Sequence, residues 1–170
     1  MNNDENLPAP PVKPYLLEAY RNYFSDNECR TYIHARAVYG GQQYLPARVQ
    51  KFVENGAIIL NITPSAVNNY DDSGCEILYF QARFEGNIED LAIPYGAIET
   101  IFSPDMELAM PLLREPYYVE DEKIFEQEAE KQAKAKSRIR RVTDSPESTK
   151  SKKARQLRNS VLQIVKKDDD

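Results

Sequence analysis

Side chains able to do chemistry are few and scattered in this 170-residue chain. His34 is the only histidine, so neither a histidine pair for a metal nor an imidazole relay can be assembled. Cys29 and Cys75 are the only cysteines, lack CxxC spacing, and read as reduced thiols. Asp71-Asp72 would offer paired carboxylates, but adjacent acids followed by Ser73-Gly74 have the composition of a solvated loop. There is no GxSxG elbow, no glycine-rich phosphate loop with its lysine, no HExxH and no EF-hand spacing. The basic run Lys131–Arg141 could meet phosphate, yet no aromatic interleaves with it and glutamates crowd the residues leading into it, so it reads as a solvated linker. The chain is therefore read as a non-enzyme, with no catalytic residue, metal or cofactor expected.

What the chain can build is a body able to hold a ligand. Gly56–Tyr70 contains its longest uninterrupted apolar run. Asn55-Gly56 supplies a tight turn, and the β-branched Ala57–Ile62 is too short for a helix and is expected as a central strand. Thr63-Pro64 ends that strand, because proline lacks a ladder donor, and Pro64–Val67 can open a helical turn. The rim left at this junction, with unpaired backbone, is the first functional suspect.

Around that stretch, Leu7–Pro14 is an extended proline-rich lead-in to a helix over Tyr15–Asn27. Leu16, Leu17, Tyr20, Tyr23 and Phe24 fall at helical spacing on a side wide enough to cover a sheet with one flank and meet a second copy with the other. Thr31–Tyr39 alternates, with Ile33, Ala35, Ala37 and Tyr39 sharing a face opposite Tyr32, His34, Arg36 and Val38. Leu45–Val53, with Pro46 near its start, suits an edge strand. Tyr70–Gly74 is a loop by composition. Glu76–Glu85 is a second strong strand, with Leu78, Phe80, Ala82 and Phe84 on the core face and Ile77, Tyr79, Gln81 and Arg83 opposite. Leu91–Pro94 and Ala97–Phe102 complete a series of short strands after one helix, the pattern of a small β-barrel or sandwich.

Charge divides the chain. Residues 1–113 carry seven basic against fifteen acidic side chains, a net of −8, whereas 114–158 have a net of +4 and 159–170 of −1. An acidic body does not suit general nucleic-acid binding, which needs a cationic surface. Glu120–Val142 has high helix propensity without a sustained apolar face, so it is either a solvated helix or disordered. Asp144–Asn159 is rich in Ser, Thr and Lys and is expected to be flexible. Val161–Val165 is then an apolar island in a polar tail, the form of a short docking motif. The N-terminus has no basic start before an apolar run, and no window approaches the ~20 apolar residues that span a bilayer, so a soluble cytoplasmic protein is expected.

Pro14-Tyr15-Leu16-Leu17, Leu60–Val67, Ala82-Arg83-Phe84 and Leu162–Lys166, with the spacing between them, resemble the stringent starvation protein B (SspB) family of specificity-enhancing adaptors of the ClpXP protease. The likeness covers Pro14–Phe102 and the last dozen residues. It implies a mainly β fold, a small Sm-like β-barrel with an N-terminal helix, followed by a flexible charged C-terminal tail. The implied division is an extended arm at 1–13, a substrate-binding and dimerisation domain at 14–113, a flexible charged linker at 114–160 and a ClpX-docking tail at 161–170. No cofactor is implied.

By the same resemblance, the domain binds the N-terminal part of the ssrA degradation tag of stalled nascent chains in a groove built from Asn61, Ile62, Thr63, Pro64, Ala66 and Val67 with Phe80, Gln81, Ala82, Arg83 and Phe84. For Ile62, Phe80 and Phe84, each taken singly, ordinary core packing is at least as good a reading. A homodimer would form through Tyr15, Leu16, Ala19, Tyr20 and Tyr23. Leu162, Gln163, Ile164, Val165 and Lys166 would dock on the ClpX N-terminal domain; the family's ending is typically like LRVVK, and here Gln163 stands in the arginine's place with Lys167 and three aspartates following. The implied function is a non-catalytic tether. A flexible spacer of about 43 residues has an r.m.s. reach of roughly 35 Å and raises the local concentration of cargo at the unfoldase. Asn3-Asp4-Glu5-Asn6 also repeats part of the tag's AANDENY segment, although a chance acidic tail is the plainer reading. The alternative from another class is a small Sm-like RNA-binding module using the basic run.

Overall fold

The computed structural model describes residues 9–143. The order is α1 (Lys13–Asp26), β1 (Tyr32–Arg36), β2 (Val38–Tyr39), β3 (Gln42–Gln43), α2 (Ala47–Gln50), β4 (Ala57–Asn61), β5 (Val67–Asp71), β6 (Ile77–Phe84), β7 (Asn87–Pro94), a 3-10 turn at Tyr95–Ala97, β8 (Ile98–Ser103), β9 (Leu108–Pro111) and α3 (Pro116–Thr143). The strands form a four-stranded sheet in the order β4-β1-β8-β9, a three-stranded sheet β5-β6-β7 and the β2-β3 hairpin, all pairs antiparallel. The fold is thus mostly β with a helix at each end. No closed barrel is found among the described residues; the strands pair into separate sheets.

The core lies between the inner faces of these sheets and under α1. Ile33, Ala35, Ala37 and Tyr39 are buried, as their alternation predicts, together with Ile58 and Leu60 of β4, Leu78 and Phe80 of β6, and Leu91 and Ile93 of β7. Proline stands in the first turn of α1, which buries Leu17 and Phe24, residues seven apart on one face. The side chain of Glu115 accepts hydrogen bonds from the backbone N–H of Val12 (2.6 Å) and Lys13 (2.9 Å), so the carboxylate serves the otherwise unpaired donors at the helix start. Lys13 is itself buried, donating Nζ–H to the Ile98 carbonyl (2.8 Å), and burial brings its pKa down to about 8.

Several local expectations change. Ala57–Asn61 is an edge strand of its sheet, with β1 on one side only, and not a central one. Leu45–Val53 is not a strand: Pro46 precedes a helical turn at Ala47–Gln50 that buries Val49. Pro64–Val67 is a turn running into β5, which extends into the expected loop at Tyr70-Asp71; its asparagines, a positive φ at Asn69 and a register shift between Asn68 and Asp71 disguise it. Residues from 116 onward begin as a helix rather than a flexible linker, which settles the choice left open at Glu120–Val142 and removes those residues from the random-coil estimate of reach.

The first turns of α3 pack on the core: Tyr118 is buried, Arg36 binds Glu122 at 3.0 and 3.2 Å, and the Tyr39 hydroxyl donates to Asp121 (2.7 Å). Gly40, at φ +54°, has no side chain because a Cβ there would sit 2.8 Å from Phe125 Cβ and 2.9 Å from the Glu122 carbonyl. The chain divides into compact units at 1–129 and 130–170; in the second, Lys131, Lys134, Lys136 and Arg138 are exposed along the continuing helix. No helix among the described residues is long and apolar enough to cross a membrane.

Candidate functional site

The open edge of β4 is the starting point. Gly56 O accepts from Ala37 N–H (2.8 Å) and Ile62 N–H donates to Thr31 O (2.9 Å), so with Ile58 opposite Ala35 and Leu60 opposite Ile33 the even-numbered residues turn their backbone toward β1. Ala57, Ile59 and Asn61 therefore turn theirs outward. Ala57 is consumed by two bonds with Glu54 (2.9 and 3.0 Å) that close the Asn55-Gly56 turn, where both residues have positive φ. The N–H and C=O groups of Ile59 and Asn61 are left on an unpaired edge, the template for an added strand.

β6 supplies the facing wall. On its inner face Leu78 and Phe80 are buried, whereas Ala82 and Phe84, further along, are only half-buried because the strand runs past the core. The result is a groove of about 390 Å³ lined by Tyr32, Ile59, Leu60 and Asn61 on one side and Ala66, Ala82, Arg83 and Phe84 on the other. Ala82 lies on the middle strand of its sheet, opposite Val67 and Glu89, and its methyl group leaves the space that a larger side chain would fill. Phe84 is braced by Phe52, their ring centroids 5.4 Å apart. Arg83 is exposed and has no ion pair among the described residues.

Of the residues proposed for this role, Asn61, Ala66, Ala82, Arg83 and Phe84 are brought together at the groove. Ile62, Val67 and Phe80 are core side chains beneath it. Thr63 is a fastener: its hydroxyl accepts from Thr31 N–H (2.9 Å) and its N–H donates to Asn61 Oδ1 (3.0 Å). Pro64 is exposed in the turn, and Gln81 lies outside the lining, bound to Asn69 (3.0 Å) and Asp90 (2.8 Å). Arg21 of α1 ties the connection down by donating to Ile62 O (2.9 Å) and stacking 3.7 Å above the Tyr70 ring. Burial raises the Tyr70 pKa, which keeps its hydroxyl neutral. Tyr32, Ile59 and Leu60 were not among the proposed residues. Ile59 and Leu60 directly precede Asn61 on β4, where the outward position of Ile59 in the alternation marks it as a side chain lacking core, whereas only the pairing of β1 with β4 brings Tyr32 to the groove.

The other candidates of the sequence lie elsewhere. Asp71 accepts from both the N–H (3.0 Å) and the hydroxyl (2.6 Å) of Ser73, hydrogen bonds that hold its pKa below the usual carboxylate range. That favours the permanently ionised acid of a turn over a proton donor. Among the described residues no cluster of three or more His, Cys, Asp or Glu could hold a metal ion. On α1, Tyr15, Leu16, Ala19 and Tyr23 are exposed, Tyr15 at 71 %, while Tyr20 packs against the core. Leu162–Lys166 and Asn3–Asn6 lie outside the described residues.

The family model for stringent starvation protein B matches residues 11–166. The chain belongs to the stringent starvation protein B family. A Haemophilus influenzae protein described as a stringent starvation protein B homolog is 30% identical over 148 residues, covering 87% of this chain and 94% of that protein. At the level of the SspB family, membership supports an adaptor-type function. The match reaches from the lead-in to α1 through to Lys166, so in this SspB chain the groove, α3 and the C-terminal apolar segment all fall within the family's extent.

Proposed function

We propose that this SspB chain is a non-catalytic adaptor whose groove takes the N-terminal part of the ssrA tag as a strand added to β4, and whose C-terminal segment Leu162–Lys166 delivers the cargo to the ClpX N-terminal domain of ClpXP. The observation that carries the reading is the unpaired backbone of Ile59 and Asn61 facing the small side chain of Ala82 across an open groove. Main-chain bonds along β4 supply affinity, and the surrounding side chains supply selectivity. Arg83 offers a cation for an acidic side chain of the peptide, and Asn61 an amide for a polar one. No bond is made or broken: the chain raises the local concentration of tagged cargo at the protease in the cytoplasm. The exposed Tyr15, Leu16, Ala19 and Tyr23 would pair two copies and so present two tails.

Titration of a labelled tag peptide against the full chain tests the groove. Ala82→Gln should abolish binding while leaving the melting temperature unchanged, because the position is only half-buried; unchanged affinity would sink the assignment. Deleting residues 161–170 should leave tag affinity intact and remove stimulation of degradation by ClpXP. Loss of tag binding in that truncation would show that the two roles are not separate.

A further inference from the structure

We propose that the groove continues past Ile59 into a second subsite that selects a basic side chain of the same bound polypeptide. The inference rests on the peptide-binding reading of the groove. Ile59 lines both the groove and a neighbouring hollow of about 770 Å³, whose walls include His34, Arg36 and Glu99 of the four-stranded sheet and Phe52 and Glu54 from the approach to β4. A strand laid along the β4 edge advances about 3.3 Å per residue, so a peptide that passes Asn61 comes alongside Ala57 and the Glu54 turn about 13 Å later.

The two ends of that path have opposite charge. At one end stands the cation of Arg83, which has no ion pair among the described residues. At the other, Arg36 is already committed, held by Glu122 at 3.0 and 3.2 Å and donating to Gly96 O at 3.2 Å. Glu122 also binds Arg114 (3.0 Å), while Glu99 lies 3.7 Å from Arg36 and 3.4 Å from His34. Set against Arg36 and Arg114, the carboxylates of Glu54, Glu99 and Glu122 leave this cluster one formal negative charge in excess. That excess corresponds to Glu54, which is exposed and has no ionic partner among the described residues. Phe52 and Ile59, 40 % and 58 % exposed, give apolar surface for the methylene stem of a lysine or arginine whose charged head meets Glu54. An acidic side chain at the same place would meet like charge, and among the described residues the nearby cations are already paired, Arg36 with Glu122 and Lys51, whose ammonium lies over the Phe52 ring, with Glu85. Residues flanking the tag core are thereby read by charge, and cargo differing only there is bound unequally.

The test uses the full chain and fluorescence anisotropy with peptides of the N-terminal part of the tag, unextended or extended at either end by three lysines, alanines or glutamates. At one of the two ends the lysine extension should bind about threefold tighter than the alanine one and the glutamate extension more weakly, with the spread shrinking at about 0.5 M salt. Glu54→Gln should erase the preference and Glu54→Lys invert it, with affinity for the unextended peptide unchanged in both. Equal affinity for all three extensions at both ends, or a lysine preference that survives Glu54→Gln, overturns the subsite. Failure of the unextended peptide to bind overturns the groove itself, and the subsite with it.

Discussion

The β4 edge and the junction of β1 with α3 use similar side chains to opposite ends. At the junction Arg36 is bound by Glu122, Tyr39 donates to Asp121, Gln42 donates to the Phe125 carbonyl (3.0 Å), and Gly40 lets the helix backbone come close. At the β4 edge Arg83 has no ionic partner among the described residues, two backbone units face outward, and Ala82 leaves space. Ionisation follows the same division. Burial alone would raise the Glu122 pKa, but the hydrogen bonds from Arg36 hold it below its ordinary range, and the same contact raises that of Arg36. Asp121, only partly buried, is pushed up by that desolvation despite the hydrogen bond from Tyr39. Folded chains pair their polar groups, so a region that pairs them internally belongs to the scaffold, and a region that leaves them open is available to a partner.

That contrast can be broken from the scaffold side without touching the groove. Gly96→Ala should have the largest effect, because a Cβ there would lie 2.3 Å from the Tyr39 hydroxyl oxygen and 2.6 Å from its ring. A loss of about 3 kcal/mol in chemical denaturation is expected, the upper end of overpacking costs, with tag affinity retained in the folded fraction. Lys13 gives a pH-dependent effect. Its folded pKa, about 8, lies below its ordinary 10.5, so between these values the unfolded chain holds a proton that the folded chain has released, and stability rises with pH. Relative to Lys13→Met, the natural chain should gain about 2 kcal/mol between pH 7 and pH 10, and a flat difference would show that the ammonium is not desolvated. Tyr39→Phe is the mildest change, removing the bond to Asp121 for a loss of about 1 kcal/mol. If any of these scaffold variants weakened tag binding in proportion to its stability loss, the separation of scaffold from groove would fail.

Much of the architecture was legible in the chain. The alternation in Thr31–Tyr39 and Glu76–Glu85 correctly sorted inner from outer side chains, because a period of two follows from the pleat and needs no partner strand. The Asn55-Gly56 turn was equally local. The groove was half legible: the segments around Asn61 and Ala82 were identified through the resemblance, but Tyr32 comes to it through the pairing of β1 with β4, which no local pattern encodes. Ile62 and Phe80 have the same apolar character as Phe84, and only burial divides them into core beneath the groove and a side chain lining it.

The sequence by itself determined which residues face inward along Thr31–Tyr39 and Glu76–Glu85, where the Asn55-Gly56 turn falls, that the body is acidic, and to which family the chain is related. Tertiary structure alone decided that β4 is an edge rather than a centre, that β5 is a strand at all, and that the first turns of α3 pack on the core as a helix instead of hanging free. The physical reason is range. Backbone preference and side-chain alternation act over a few residues, whereas edge status and helix docking depend on partners far away in the chain, such as Glu122 at Arg36 and Glu115 at the start of α1.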